Sequence, residues 1–199
     1  MSDLGSAPIP AAATSDLGSA PIPAAATSDL GSAPIPALLD VDHVRGPGGG
    51  RTLIVYADFE CPFCAALDAR LRALPADRVV FRHFPVRSSH PRAWPAACAA
   101  EAAGLQGRFW EMHDALFADP ARLEDPHLWE RGRGLGLELD RFDRDRRCDA
   151  VRDRVKRDFR AGVRGGVVTT PTIFELGDDG AVVRLGRDEF GPRPRSEPA

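Results

Sequence analysis

Two cysteines three residues apart, Cys61 and Cys64, stand where a strand should give way to a helix. Before them, Thr52-Leu53-Ile54-Val55-Tyr56 is an unbroken apolar, β-favouring run, suited to a strand buried on both faces. After them, Leu67, Leu71 and Leu74 recur at helical spacing between Ala65 and Leu74, and Pro75-Ala76-Asp77 stops the helix. Val79 to Phe84 then reads as a second strand, ended by Pro85. Strand, helix and strand within so short a stretch make one βαβ unit, for which a right-handed parallel crossover is the default.

That context gives the Cys-Pro-Phe-Cys spacing its chemical meaning. Thiolate is the reactive form of cysteine, and unpaired N–H groups at a helix N-terminus favour the anion. Cys61 is expected in the first turn as the more exposed sulfur, with Pro62 beside it where a missing N–H costs nothing. Cys64 lies one turn on, on the same face, placed to attack a mixed disulfide formed at Cys61. The same four residues could begin a zinc knuckle. Zinc, however, usually takes four ligands, and Cys98 and Cys148 stand alone on separate predicted helices. Redox chemistry is the reading the context favours, and no metal is assigned.

Beyond the βαβ unit, a helical insert is expected over about 88–160. It opens near His90-Pro91, is broken around Gly104 and Gly107, and ends in an apolar stripe of Cys148, Val151, Val155 and Phe159. Pro171 to Leu176 and Ala181 to Leu185 read as two more strands joined by the turn Asp178-Asp179-Gly180. The fold class is therefore α/β, a small mixed sheet flanked by helices.

The chain's start has a different character. Residues 2–14 read SDLGSAPIPAAAT, residues 15–27 repeat them without change, and 28–37 begin a third copy. The unit holds one Leu, one Ile and two prolines, too little apolar surface to offset its own ordering entropy. Residues 1–39 are therefore expected to be a disordered arm, 40–187 the folded domain, and 188–199 a disordered tail. Asp3, Asp16 and Asp29 carry the whole formal charge of −3; taking them from the 29 acids leaves 26, matched by the 26 Lys and Arg. A neutral body does not suit a general nucleic-acid binder, which needs a basic surplus facing phosphates. The first basic residue is Arg45, and prolines interrupt the apolar stretches before it. No targeting signal or membrane span is expected, and the location expected is the cytoplasm.

Four segments carry a resemblance: Tyr56-Ala57-Asp58-Phe59-Glu60-Cys61-Pro62-Phe63-Cys64, Phe81-Arg82-His83-Phe84-Pro85, Gly107-Arg108-Phe109-Trp110-Glu111-Met112-His113, and Thr169-Thr170-Pro171-Thr172. In that order and spacing, the chain from about Asp40 to Leu185 resembles the DsbA-like branch of the thioredoxin superfamily. The resemblance implies a thioredoxin-like fold with an inserted all-helical domain. It also implies a cis Thr170–Pro171 bond opposite the active helix, exposing the Thr170 backbone to a bound substrate chain. Three departures stand out. Val55 occupies the place where thioredoxin-like proteins often bury an acid that relays the resolving cysteine's proton. Phe63 replaces the histidine of strongly oxidising members, and Arg187 to Ala199 lacks the usual final helix. Without that histidine's charge, the potential is expected nearer the thioredoxin end, roughly −270 mV, than the DsbA end, roughly −120 mV.

The function expected is thiol–disulfide oxidoreduction through Cys61 and Cys64, with protein or small-thiol substrates and a reducing or oxidising partner protein. Thr170, Pro171, Phe63 and Pro62 are the candidate substrate contacts, and no cofactor, nucleic acid or membrane is implied. The alternative is a non-catalytic binding module on the same fold, motivated by Val55 and the repeated arm; an isomerase or glutathione-dependent transferase is a weaker third. Cys98 and Cys148 are expected to pack. His83 reads as an edge or cap partner, His90 as a turn residue, His113 as a hydrogen-bonding residue of the insert, and Trp110 as packing or a groove wall. Glu60, beside Cys61, is expected to raise the pKa of that thiol.

Overall fold

The computed structural model describes residues 31, 33–47, 50–73 and 77–186. The first two repeat copies, the end of the first helix at Leu74 and the tail from 187 lie outside the described residues. A five-stranded sheet is built from β1 (His43–Arg45), β2 (Thr52–Ala57), β3 (Arg78–His83), β4 (Thr172–Leu176) and β5 (Val182–Arg184), in the order β1-β3-β2-β4-β5. Only β2 and β3 run parallel, joined by α1 (Pro62–Arg72); the other neighbours are antiparallel, so the sheet is mixed as expected.

Between β3 and β4 the chain leaves the sheet as five helices: α2 (Ala93–Gly104), α3 (Phe109–Ala118), α4 (Asp125–Gly134), α5 (Leu139–Asp145) and α6 (Asp149–Arg164). The breaks fall where the sequence places glycine: Gly107 and Gly136 take φ of +74° and +71°, turns that a side chain resists.

Both sheet faces are covered, which is why β2 reads as a continuous apolar run. Leu53 and Val55 face a core shared with Leu67, Leu71, Phe81 and the small residues of α2. Ile54 and Tyr56 face a second core with Val80, Phe84, Val167 and Phe174. The α6 stripe serves both: Val151 and Val155 lie in the first, while Phe159 packs on Phe84 in the second, ring centroids 4.7 Å apart. Gly162 lets α6 approach that closely, since a Cβ there would come within 2.8 Å of the Phe84 ring.

Two features differ from the sequence reading. Strand β1 falls before the apolar run at Thr52, in a stretch to which the sequence reading assigned no strand. It is held from far along the chain: Arg45 bonds Asp68 and Asp114, and His43 bonds Glu101 while stacking on Phe109. In addition, the packed chain begins before Asp40. Ile35, in the third repeat copy, is buried in the second core, and Arg82 bonds the carbonyls of Pro36 and Ala37 and the Asp42 carboxylate. The copy buries its one isoleucine in a groove of the body, not in a core of its own.

Candidate active site

The parallel β2 strand delivers the chain to a tight turn, Asp58 to Glu60, and α1 starts at once with Pro62 in its first turn. Cys61 is the N-cap residue, just outside the first turn that the sequence reading gave it. It is the more accessible of the pair, as expected, yet both residues are buried: Cys61 and Cys64 are 3% and 1% accessible. The loop before β4 accounts for this, because the Thr170 carbonyl lies 3.6 Å from the Cys61 sulfur across 109 residues of sequence. The Thr170–Pro171 bond is cis, as the resemblance implied.

Electrostatically the two thiols are driven apart. The Cys61 pKa falls to about 6, chiefly because Cys64 S–H hydrogen-bonds to its sulfur; burial opposes, and the backbone N–H groups of Cys64 and Phe63 at the helix start add to the lowering. The Thr170 carbonyl can only accept, so it holds the neutral thiol and does not explain the drop. Cys64 moves the other way, pushed far up by burial, by its bond to Cys61 and by the Cys61 charge. At neutral pH the pair is thus a poised thiolate beside a locked thiol.

Asp58 organises the rest. This buried carboxylate accepts from the N–H groups of Glu60 and Val86, both at 2.8 Å, and bonds His90 Nδ1 at 2.9 Å; its own N–H points to the Cys64 sulfur at 3.5 Å. Sequence reasoning missed this role for His90, taken as a turn residue, because its partner lies 32 residues away. Burial works against the imidazolium, yet the Asp58 bond and charge, joined by the Cys61 charge, raise the His90 pKa. By reciprocity, His90 in its charged form favours the Cys61 thiolate. His90→Gln is expected to move the Cys61 titration upward by about half a unit; iodoacetamide alkylation rates against pH, with a midpoint near 6 in the natural chain, read the shift. Glu60, expected to oppose the thiolate, is turned to the start of α2. It accepts from the Arg92 N–H at 2.6 Å, and the Arg92 guanidinium lies 3.6 Å away.

Of the other candidates, Pro62 and Phe63 are exposed, Phe63 to 73%, and Thr170 and Pro171 are half-buried against the Cys61 side. Trp110 lies elsewhere, beneath the Arg45 guanidinium at 4.5 Å. His83 is buried on Glu101 at 2.8 Å, and His113 bonds its neighbour Asp114 at 2.9 Å. Burial pushes the Cys98 thiol up to about 11, and Cys148, at the N-cap position of α6 without a side-chain cap bond, packs against the first core. Val55 walls a cavity of about 10 Å³ that Cys64, Asp68 and His113 also line. Among the described residues, Asp68, His113 and Asp114 bring ligand-type atoms within 4.8 Å of one another. Arg45 and Arg72 already supply the cations to both carboxylates there, which disfavours a metal ion.

Comparison with known proteins fits this geometry. A family model described as Thioredoxin matches residues 43–178. Among solved structures, a thioredoxin-like oxidoreductase from Silicibacter pomeroyi superposes with a TM-score of 0.62 at 24% identity, over 80% of this chain and 90% of that one. DsbA2 of Pseudomonas aeruginosa gives 0.61 at 26% identity, over 74% and 87%. Among curated proteins, the Na(+)/H(+) antiporter NhaA 3 of Salinispora tropica is 43% identical over 69% of this chain, and NhaA 1 of Mycolicibacterium gilvum 42% over 68%. The matches take in 22% and 23% of those antiporters, so the chain spans about a fifth of the length of the curated relatives it matches. Among the described residues, no helix is long and apolar enough to cross a membrane. By its matched family model, its sheet order and the cis-proline loop set against a Cys-x-x-Cys helix, the chain belongs to the thioredoxin family, in its DsbA-like branch.

Proposed function

We propose that the chain exchanges disulfides with protein or small-thiol substrates through Cys61 and Cys64. The observation that carries this reading is the opposed ionisation of the two sulfurs, one lowered to about 6 and the other raised. The Cys61 thiolate attacks one sulfur of a substrate disulfide; a Cys61–substrate bond forms, and the other substrate sulfur leaves as thiolate and takes up a proton. The Cys61 charge and its hydrogen bond to Cys64 are then gone. Of the three causes that raise the Cys64 pKa, only burial remains, and the Asp58 N–H still faces that sulfur. Cys64 gives up its proton to solvent and attacks Cys61, releasing the second substrate thiolate and leaving the Cys61–Cys64 disulfide. A partner dithiol restores the pair, and the reverse sequence oxidises a substrate.

Substrate chains are received along an apolar rim that includes exposed Phe63 and Val168, 73% and 82% accessible. The Thr170 backbone, adjoining that rim, is the proposed pairing edge, with Pro171 and Pro62 flanking it. The cytoplasm remains the proposed location, since a reducing compartment keeps Cys61 as the attacking thiol.

A second reading comes from the antiporter relatives: a non-catalytic module that serves a transport protein by binding. Titration with a glutathione redox buffer separates the two. Exchange predicts two thiols per chain, Cys61 and Cys64, that oxidise together in one two-electron transition, whereas a pair that stays reduced across the whole buffer range favours the module.

A further inference from the structure

The groove that receives Ile35 has a second feature. Its contacts with the arm fall on positions that the repeat preserves. The Gly31 and Ala33 N–H groups donate to the Arg164 carbonyl at 2.9 and 3.1 Å. Ile35 enters the second core beside Gly165, where a Cβ would overlap its Cδ1. Arg82 donates to the carbonyls of Pro36 and Ala37 at 2.7 and 2.8 Å and grips both Asp42 oxygens at 3.1 and 2.7 Å. One period earlier, these positions are Gly18, Ala20, Ile22, Pro23, Ala24 and Asp29, the same residue at each of the six positions in the same frame. The aspartate is the telling one. Asp42 lies past the recognisable repeat, yet it is the in-frame counterpart of Asp29 and Asp16.

The positions that differ are the ones the groove does not read. Leu38, Leu39, Asp40 and Val41 stand where the second copy has Ala25, Ala26, Thr27 and Ser28, and all four are exposed. Of these, only main-chain atoms make described bonds: Asp42 bonds the Leu39 N–H and carbonyl, and Arg154 bonds the Val41 carbonyl.

We propose that this groove is a docking site for the repeat itself, and that the second copy, residues 18–29, occupies it in place of the third, with the chain slipped by one period. The slip leaves residues 30–42 as a loop before β1. The cost of closing a loop rises only slowly with its length, and a tethered copy competes at high effective concentration.

The full chain tests this through three variants. Ile9→Asp/Ile22→Asp should melt as the natural chain does, because the third copy still docks. Ile35→Asp should lose part of the stability, and Ile9→Asp/Ile22→Asp/Ile35→Asp should melt about 5 °C or more below Ile35→Asp, having no isoleucine left to dock. Coincident melting of the single and triple variants would overturn the proposal. Labelled isoleucine methyls give an independent reading: in Ile35→Asp, the Ile22 methyls should show contacts to the Tyr56 and Phe84 rings, and their absence refutes docking of the second copy. A dimer of Ile35→Asp that grows with concentration would assign the groove to another chain's copy and overturn the slipped arrangement.

Discussion

Cys61→Ser is expected to bring insulin-disulfide reduction to the uncatalysed background, while Cys64→Ser stops the reaction half way and accumulates a mixed disulfide. The two variants differ because the sulfurs hold different positions in one machine. At neutral pH Cys61 carries the negative charge, with a pKa of about 6 and the N–H groups of α1 behind it. Serine cannot replace that anion, since an alcohol stays protonated and forms no bond of the required kind to sulfur. Cys64 is buried and its proton is held, so it does nothing until Cys61 has been capped. Without Cys64, the Cys61–substrate bond has no internal attacker and persists until an outside thiol reaches a sulfur that is 3% accessible. Non-reducing electrophoresis of Cys64→Ser incubated with oxidised substrate should show a shifted species that disappears with dithiothreitol. Undiminished reduction by Cys61→Ser would remove the mechanism altogether, and capture by Cys64→Ser followed by identification of the captured proteins would name the substrates.

How much of this was legible beforehand depended on how local each signal was. The βαβ unit and its Cys-Pro-Phe-Cys turn could be read because strand periodicity, helical spacing and the first-turn proline all fall within one short stretch. The insert was legible from its glycine breaks and the α6 stripe. What stayed hidden is carried by pairs distant in sequence. Strand β1 is three residues long, and its pairing is sealed by Arg45 bonds to residues 23 and 69 positions away. The burial of Cys61 depends on a carbonyl 109 residues downstream. Asp58 is one residue of a recognisable stretch, but nothing local says that it collects the Val86 N–H and the His90 ring. The arm shows the same limit from the other side. Its composition forecasts little self-organisation, and only the groove opened by Gly162 and Gly165 shows that one copy has a place to go.

The second large effect concerns the equilibrium rather than the rate. The Cys61–Cys64 pair is expected to titrate at roughly −230 mV, from linear interpolation between a thioredoxin-like pair (pKa about 7, −270 mV) and a DsbA-like pair (pKa about 3.5, −120 mV). The physical link is that whatever stabilises the thiolate stabilises the reduced form and makes the disulfide a stronger oxidant. In this chain the thiolate is held by Cys64 and two backbone N–H groups, with exposed Phe63 where a histidine could add charge. Phe63→His should therefore lower the Cys61 pKa and raise the potential, by about 40 mV for each unit on the same interpolation. The sign with pH follows from the depressed value. Stabilisation of the reduced fold by this thiolate is full above the ordinary thiol pKa of 9, declines as pH falls, and is gone below about 6. Substituting Cys61 by serine should accordingly narrow the melting-temperature difference between alkaline and acidic reduced samples. A glutathione titration that places the natural pair above about −150 mV would show that a charge other than these backbone donors dominates. His90, linked to the site through Asp58 and favouring the thiolate in its charged form, would then be the first group to test, by repeating the titration on His90→Gln.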